Sequence, residues 1–393
     1  MPSVLATQRT GTTRTLLLHA ERVYDRLRRA DLVLIGATGL LLCIGMVFVW
    51  SASHGVPGAG EGAFAFVIRQ LIFAGLGFGV FLALQRIEYP ALLRASPVLY
   101  GIGMVLLVGV LFTRPVNGAR AWFDLYIFKL QPAELMKPAL IIALAHYLMH
   151  RESYKRLSGL AMPLLIWFAP LALLMKQPDL GTTLTLVPVF VAMIFAAGAR
   201  LWHLGLMAMA GCGGTVLLWM SIMKDYQKRR VLAWLFPDEY RLNEAWQLLR
   251  SEISIGSGGL TGQGLCNSSQ SGLDMLPEKH TDFIFAVVAE EGGFVVAALV
   301  VALLAIIVLS GLGIAVRTRE PAGRLIAVGI STLLCSQVLV NMGVALGLLP
   351  TTGLTLPFVS YGGSSLLSSF ICLGILVNIG SRQEPVLSRD TFR

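Results

Sequence analysis

Residues 276–316 read LPEKHTDFIFAVVAEEGGFVVAALVVALLAIIVLSGLGIAV, and this stretch decides the class of fold. Its second part, residues 294–316, is almost entirely apolar and carries no charged residue. A helix of about 20 such residues crosses the hydrocarbon core of a bilayer. The stretch therefore predicts a transmembrane helix that is entered from a polar, acid-containing segment.

The rest of the chain has the same apolar character. Of its 393 residues, 55% are hydrophobic and 13% are charged, whereas soluble domains carry about 25% charged residues. Ten apolar runs have roughly the length of a membrane span: 32–50, 64–84, 97–112, 132–148, 160–175, 182–199, 204–223, 294–316, 324–348 and 364–380. The sequence thus predicts an all-α, polytopic membrane protein, with a domain of about ten transmembrane helices over residues 32–380.

The distribution of basic residues predicts the orientation of these spans. An even number of spans places both termini on one side, and Lys and Arg are enriched in cytoplasmic segments. Eighteen lysines and arginines lie on the side of the termini, against four in the short loops of the opposite side. We therefore predict cytoplasmic tails at 1–31 and 381–393, and a large extracytoplasmic loop at 224–282 between helices 7 and 8. On this interpretation the net charge of +9 reports topology and implies no nucleic-acid partner.

The cysteines indicate neither a metal site nor a disulfide framework. Cys43, Cys212, Cys335 and Cys372 lie inside apolar runs, where cysteine packs as a small hydrophobic residue. Cys266 stands alone in a polar loop, and none of the five has metal-ligand spacing.

Asp282 is the first candidate for chemistry, because it lies where the long polar loop returns to the membrane. An ionisable group at that depth is costly to desolvate and marks a functional site by default. His280, directly before it, belongs to the same polar end of the loop. The simpler alternative is that Asp282 only N-caps the helix that follows, a position that Asp favours.

Further charged residues are predicted on the same face. Glu134 and Lys137 are three residues apart, so they share a helical face and can form a structural ion pair or the floor of an outer cavity. Lys176 and Asp179 occur in KQPDLG, where Asp179 is also a candidate N-cap. Arg120 occurs in NGARAW, and its guanidinium group suits a phosphate or carboxylate.

Five glycines fall within residues 256–264, GSGGLTGQG. Such a segment lets the backbone approach a ligand closely, and its successive N–H groups can bind phosphate oxygens. It lacks the Lys-Ser/Thr of a nucleotide-binding P-loop. The alternative is a flexible or tightly turning loop with no ligand, because glycine permits both interpretations.

Several of these segments are similar to motifs of one known family. NGARAW, QPAELMK, KQPDLG, WQLLRSEISIGSGGLTGQG, LPEKHTDFIFAVVAEE and GLTLPFVSYGGSS occur in the order found in the SEDS family (shape, elongation, division and sporulation). The resemblance extends from about Leu32 to Gly380. The chain departs from the usual family residues at Ala121, Ala133 and Gly292, none of which replaces an ionisable group that we consider essential.

The resemblance implies a ten-helix glycosyltransferase that polymerises lipid II into peptidoglycan glycan strands. It also implies a class B penicillin-binding protein as the transpeptidase partner, together with other division proteins, in the inner membrane at the septum. GLCNSSQ and LLPTTGLTLPFVSYGGSSL are more similar to the division branch than to the elongation branch. The elongation and sporulation branches remain open, as do a lipid-linked precursor flippase and a scaffold that only recruits the partner.

The resemblance also implies roles for individual residues. The essential aspartate of the family corresponds to Asp282, for which a general-base role is chemically suitable. No cofactor is demanded, although a divalent cation could share in neutralising the pyrophosphate of the donor. The candidate substrate-binding residues are Arg120, Glu134, Lys137, Lys176, Asp179, Gly256, Ser257, Gly258, Gly259 and His280. Among these, Glu134 and Asp179 are expected to hold the cationic side chains in place.

Overall fold

The computed structural model describes residues 32–54, 62–114, 119–124, 129–149, 157–221, 223, 225–241, 245–267 and 278–382. The predicted N-terminal tail, and all of the C-terminal tail beyond residue 382, lie outside this range. Within it the chain forms twelve α-helices: α1 (Leu32–His54), α2 (Gly62–Arg86), α3 (Tyr89–Val110), α4 (Pro132–Met149), α5 (Ala161–Lys176), α6 (Leu180–Ala196), α7 (Leu201–Ser221), α8 (Asp225–Leu235), α9 (Trp246–Ser257), α10 (Ile284–Arg317), α11 (Pro321–Ala345) and α12 (Gly363–Gly380). A short 3₁₀-helix spans Leu157–Leu160, and strands β1 (Phe123–Asp124) and β2 (Lys129–Leu130) form a small antiparallel pair.

The all-α polytopic fold is confirmed. Each of the ten apolar runs coincides with a helix, because a backbone in lipid must satisfy its own hydrogen bonds. Among the described residues, six helices are long and apolar enough to cross a membrane, namely α1, α2, α3, α10, α11 and α12. Two further apolar helices, α5 and α6, are shorter. The number of ten spans therefore stays a prediction.

Helices α4, α11 and α12 form the centre of the bundle. Helix α11 packs against α4, α6 and α10, while α12 packs against α2 and α4. Helix α4 is buried over most of its length, and its first two turns bring a charged pair into this centre. The outer helices present apolar side chains such as Phe64, Val105 and Phe168 to their surroundings, as lipid-facing surfaces do.

The long loop between helices α7 and α10 contains two helices, α8 and α9, which polarity alone does not predict. Both are attached to the end of α11. The indole N–H of Trp234 in α8 donates to the carbonyl of Gly347 at 2.9 Å. The Ser251 hydroxyl in α9 donates to the carbonyl of Ala345 at 2.8 Å. The loop is therefore a packed layer over the bundle.

The segment between α11 and α12 is non-helical, because its prolines and glycines disfavour a regular helix. Residues 351–362 run as irregular backbone and turns across the bundle. Gly45 of α1 permits this path, because a Cβ atom there would lie 2.7 Å from the carbonyl oxygen of Val359. Irregular backbone at this depth persists only where protein or a water-filled cavity covers it.

Candidate active site

Asp282 lies in the turn of residues 278–283, immediately before α10 begins at Ile284. The N-cap of α10 is Phe283, and no side chain makes a capping hydrogen bond there. The alternative that Asp282 only caps this helix is therefore wrong. Its carboxyl group is left for another role.

Hydrogen bonds from distant parts of the chain hold this turn in place. The carbonyl oxygens of residues 280, 281 and 282 accept, in that order, from the Tyr361 N–H at 3.0 Å, the Ser360 hydroxyl at 2.6 Å and the Asn341 amide at 2.8 Å. The same Asn341 amide nitrogen donates to the Leu354 carbonyl at 2.6 Å. Helix α11 and the irregular segment 351–362 thus fix the backbone on which Asp282 is carried.

Asp282 lines a small cavity of about 40 Å³ between α8, α9, α11 and residues 351–354. Arg230, Gln247, Asn341 and Thr352 supply further polar side chains to its wall. Asn341 Oδ1 and Thr352 Oγ1 are buried without a hydrogen-bond partner among the described residues. Buried polar atoms are normally satisfied, so these two atoms suit the hydroxyl or amide groups of a bound polar ligand.

The environment of Asp282 favours the protonated form of its carboxyl group. Burial raises the pKa of Asp282 to about 7, and the negative charge of Glu278 contributes in the same direction. A hydrogen bond from Thr281 and the positive charge of Arg230 act against this shift. A carboxyl group with a pKa near the working pH can accept and return a proton, which is what a general base requires.

Arg230 is the cation that lines the cavity with Asp282, and sequence reasoning missed it. It lies in α8, and its guanidinium Nη1 donates to the carbonyl of Thr351 at 3.5 Å. The only sequence signal was the basic cluster KDYQKRR at residues 224–230, which composition cannot connect to a residue fifty positions away.

Glu134 and Lys137 form the ion pair that their spacing predicts. Lys137 Nζ lies 2.6 Å from Glu134 Oε1, and the exposed fractions of the two residues are 0% and 3%. The Ser368 hydroxyl of α12 donates to the Glu134 carbonyl at 2.8 Å. Neither charged residue lines the cavity of Asp282, so the pair belongs to the centre of the bundle.

Among the described residues, no cationic side chain forms an ion pair with Asp179, contrary to expectation. Its carboxylate N-caps α6, accepting from the Thr182 N–H at 2.9 Å and the Thr182 hydroxyl at 2.9 Å. It also accepts from the Gln131 amide at 3.0 Å. Lys176 and Arg120 are exposed, and the Arg120 guanidinium donates to the carbonyl of Leu111 at 3.0 Å. These residues lie outside the Asp282 cavity.

The glycine-rich segment contacts other parts of the protein through its backbone. Gly256 and Ser257 belong to α9, and the Ser257 hydroxyl donates to the carbonyl of Ser254 at 2.9 Å. Gly258 and Gly259 follow in a loop whose backbone packs against α10. Several amides of this loop already donate to carbonyls of the protein. The structure therefore favours the alternative of a tightly turning loop, and the phosphate cradle stays a prediction.

His280 is turned toward an aromatic cluster. Its ring centroid lies 5.0 Å from that of Phe66 and 5.8 Å from that of Tyr361. The imidazole is not among the side chains that line the Asp282 cavity. In this structure, His280 anchors the turn that carries Asp282.

Comparison with known proteins identifies the family. The family model FTSW_RODA_SPOVE, described as "Cell cycle protein", matches residues 31–384. The chain belongs to the FtsW/RodA/SpoVE family. The resemblance drawn from the six motifs is thereby confirmed, and the match covers the whole described helical region.

Relatives of this FtsW/RodA/SpoVE protein include members of two branches. A "Probable peptidoglycan glycosyltransferase FtsW" from Geobacter metallireducens is 39% identical over 364 residues, which is 91% of this chain and 96% of that protein. The "Stage V sporulation protein E" of Bacillus subtilis is 38% identical over 357 residues, covering 89% and 96%.

Two solved structures share the fold of this family member. A chain from a study of "Structural coordination of polymerization and crosslinking by a peptidoglycan synthase complex" has a TM-score of 0.76 and 33% identity, covering 90% of this chain and 98% of that one. The rod shape determining protein RodA of Thermus thermophilus has a TM-score of 0.68 and 30% identity, covering 91% and 98%.

Proposed function

We propose that this protein is a peptidoglycan glycosyltransferase that polymerises lipid II into glycan strands for septal wall synthesis. The observation that carries the proposal is the Asp282 carboxyl group, which is held on an anchored turn at the wall of a polar cavity. Membership of the FtsW/RodA/SpoVE family and the names of the relatives support the same activity.

In this mechanism Asp282 is the general base. Its carboxylate accepts the proton of the attacking sugar hydroxyl while that oxygen bonds to the anomeric carbon of the donor. The bond from the anomeric carbon to the lipid-linked pyrophosphate breaks, and the pyrophosphate leaves with the electron pair. The buried site suits this role, because a carboxylate deprived of water is a stronger base than one in solution.

The departing pyrophosphate requires positive charge. Arg230 is the favoured group, since it lines the cavity with Asp282 and guanidinium groups bind phosphate oxygens with two parallel hydrogen bonds. Lys137 is fully buried and paired with Glu134, which makes it unavailable to a ligand without rearrangement. The exposed Arg120 and Lys176 remain candidates for the part of the substrate outside the cavity.

The cavity is too small to hold a sugar unit, because about 40 Å³ accommodates no more than a few water molecules. Productive binding therefore requires movement of the layer formed by α8, α9 and residues 351–354. We propose that the partner, a class B penicillin-binding protein, controls this movement when it binds. A structural neighbour described as part of a complex that coordinates polymerization and crosslinking supports this assignment.

Polymerisation by purified protein tests the proposed function. The protein, alone and with its penicillin-binding partner, is mixed with lipid II in detergent, where no membrane has to be crossed. We expect lipid II to be converted into glycan strands, which remain after the monomeric lipid has been extracted. A flippase would bind lipid II under these conditions without forming polymer, and a scaffold would require no carboxylate at Asp282.

We propose that both termini are cytoplasmic and that the protein acts at the division septum. Cys266 is exposed in the loop before α10, so an impermeant thiol reagent should label it in intact spheroplasts, and Cys266→Ser should remove most of the labelling. A cysteine introduced at Ser153, which lies outside the described residues, should label only after the membrane is opened. Labelling of Ser153→Cys in sealed spheroplasts without labelling of Cys266 would show the inverse orientation.

The pH dependence of polymerisation should follow the carboxyl group of Asp282. Because its pKa is raised to about 7 and the carboxylate is the active form, kcat/KM for lipid II should fall as the pH decreases through 7. Glu278→Gln removes a charge that raises this pKa, so the decrease of kcat/KM should occur at lower pH. Arg230→Gln removes a charge that lowers this pKa, so the decrease of kcat/KM should occur at higher pH. If kcat/KM decreased over the same pH range in the wild type and in both variants, Asp282 would be excluded as the titrating group.

A further inference from the structure

Helix α10 is interrupted near its outer end. Gly293 has φ 71° and ψ −174°, which is not helical backbone. In a continuous helix the N–H groups of Phe294 and Val295 would bond to the carbonyls of Glu290 and Glu291, four residues earlier. The break at Gly293 divides α10 into a short outer segment, residues 284–292, and a long membrane segment, residues 294–317.

The loop after α9 replaces the two hydrogen bonds that the break removes. Two of its carbonyls accept from the N–H groups beyond the break, and two of its N–H groups donate to the carbonyls before it. The four bonds are Phe294 N to Gly259 O at 2.9 Å, Val295 N to Leu260 O at 3.2 Å, Gln263 N to Glu290 O at 3.0 Å and Gly264 N to Glu291 O at 3.0 Å. The loop 258–264 is thus inserted into the backbone of the helix.

This insertion depends on glycine at the points of contact. A Cβ atom on Gly258 would clash with the carbonyl oxygen of Ala289, and one on Gly262 with that of Glu291. A Cβ atom on Gly293 would clash with the backbone nitrogen of Gly262. Gly262 and Gly293 also have positive φ values, of 79° and 71°, which other residues adopt only with strain.

The outer segment 284–292 is therefore held at both ends. At its start, the turn that carries Asp282 is bonded to Asn341 and to the neighbouring residues of 351–362. At its end, loop 258–264 is hydrogen-bonded to the backbone on both sides of the break. The same loop follows α9, which Ser251 attaches to α11.

We propose that loop 258–264 is a positioning element for Asp282, which sets the orientation of segment 284–292 and thereby the location of the carboxyl group at the cavity. This inference rests on the proposed function, because it assumes that Asp282 is the general base. It explains the density of glycine in GSGGLTGQG without a bound phosphate. Displacement of a catalytic group by about 1 Å can reduce the rate by about a hundredfold.

Graded glycine substitutions test the proposal. Gly262→Ala introduces both the clash and the backbone strain, whereas Gly264→Ala, at φ 91° with its nearest neighbour 3.6 Å away, introduces strain alone. Gly313→Ala, in the regular part of α10 where only the Arg317 side chain comes within 3.4 Å, is the matched control. We expect kcat to fall by about tenfold to a hundredfold for Gly262→Ala and less for Gly264→Ala. KM for lipid II should change little, and Gly313→Ala should match the wild type.

A distance measurement separates positioning from loss of folding. Spin labels at Glu278 and Leu348, both exposed, are introduced into a cysteine-free background that retains activity. We expect the interlabel distance to shift or broaden in the Gly262 and Gly264 variants and to stay unchanged in Gly313→Ala. An unchanged distance with reduced kcat, or a changed distance with normal kcat, would overturn the proposal. If Gly262→Ala does not fold, Gly264→Ala decides alone.

The failure of the proposed function would be recognisable in the same experiments. If Asp282→Asn retained full polymerisation, the general-base assignment would fail whatever the loop variants did. The interlabel distances would still report whether loop 258–264 holds segment 284–292.

Discussion

Asp282→Asn is expected to abolish glycan polymerisation while the protein still inserts into the membrane and binds its penicillin-binding partner. Asparagine has nearly the same shape as aspartate but cannot accept the proton of the attacking hydroxyl. The turn that carries residue 282 is held through backbone carbonyls, so its position should survive the substitution. Loss of a general base costs about 10²–10⁴-fold in rate.

The measurement is the initial rate of polymer formation from lipid II by purified variant and wild type. Glu278→Gln at pH 8.5 is the control, because it changes another acid of the same turn that is exposed and should leave polymerisation close to normal at that pH. Polymer yields from Asp282→Asn near the wild-type level would refute the assignment. A co-purification assay with the partner excludes misfolding as the cause of a loss.

Lys137→Met is expected to reduce the stability and yield of the protein strongly, along with its activity. The substitution leaves the Glu134 carboxylate buried in α4 without the ammonium group that lies 2.6 Å away in the wild type. Removing one partner of a buried ion pair costs about 3–5 kcal/mol. In thermal unfolding of the purified protein in detergent, this loss should appear as a clear decrease of the midpoint temperature.

The double variant Glu134→Gln with Lys137→Met should recover part of that stability, because no charge is then left unpaired. Lys176→Met, which removes an exposed lysine, serves as the control and should leave the unfolding midpoint unchanged. If the changes in unfolding midpoint caused by the two single substitutions simply added in the double variant, Glu134 and Lys137 would not stabilise each other.

Local sequence patterns were sufficient for the apolar helices of the fold, but not for α8 and α9. Every apolar run became a helix, since lipid leaves the backbone few alternatives. The spacing of Glu134 and Lys137 predicted their ion pair, because residues three apart share a helical face. The prolines and glycines between α11 and α12 are consistent with the irregular backbone of residues 351–362. These features depend on neighbouring residues alone.

The role of Asp282 was accessible from the sequence as a hypothesis, through its place at the end of a polar loop and its family motif. The environment of Asp282 could not be predicted from the sequence. Arg230, Asn341 and Thr352 meet it from three separate parts of the chain, and no periodicity relates their positions. Local pattern offered a capping role for both Asp282 and Asp179, and only the structure showed that Asp179 is an N-cap and that Asp282 is not.

Loop 258–264 shows most clearly what local sequence patterns leave undecided. The sequence alone left two interpretations open, a backbone that approaches a ligand closely and a flexible or tightly turning loop, because glycine permits both. Which surface the folded loop meets depends on residues that are distant in the chain. Tertiary structure decided this point, since the break at Gly293 leaves backbone donors and acceptors that must be paired, and the loop pairs them.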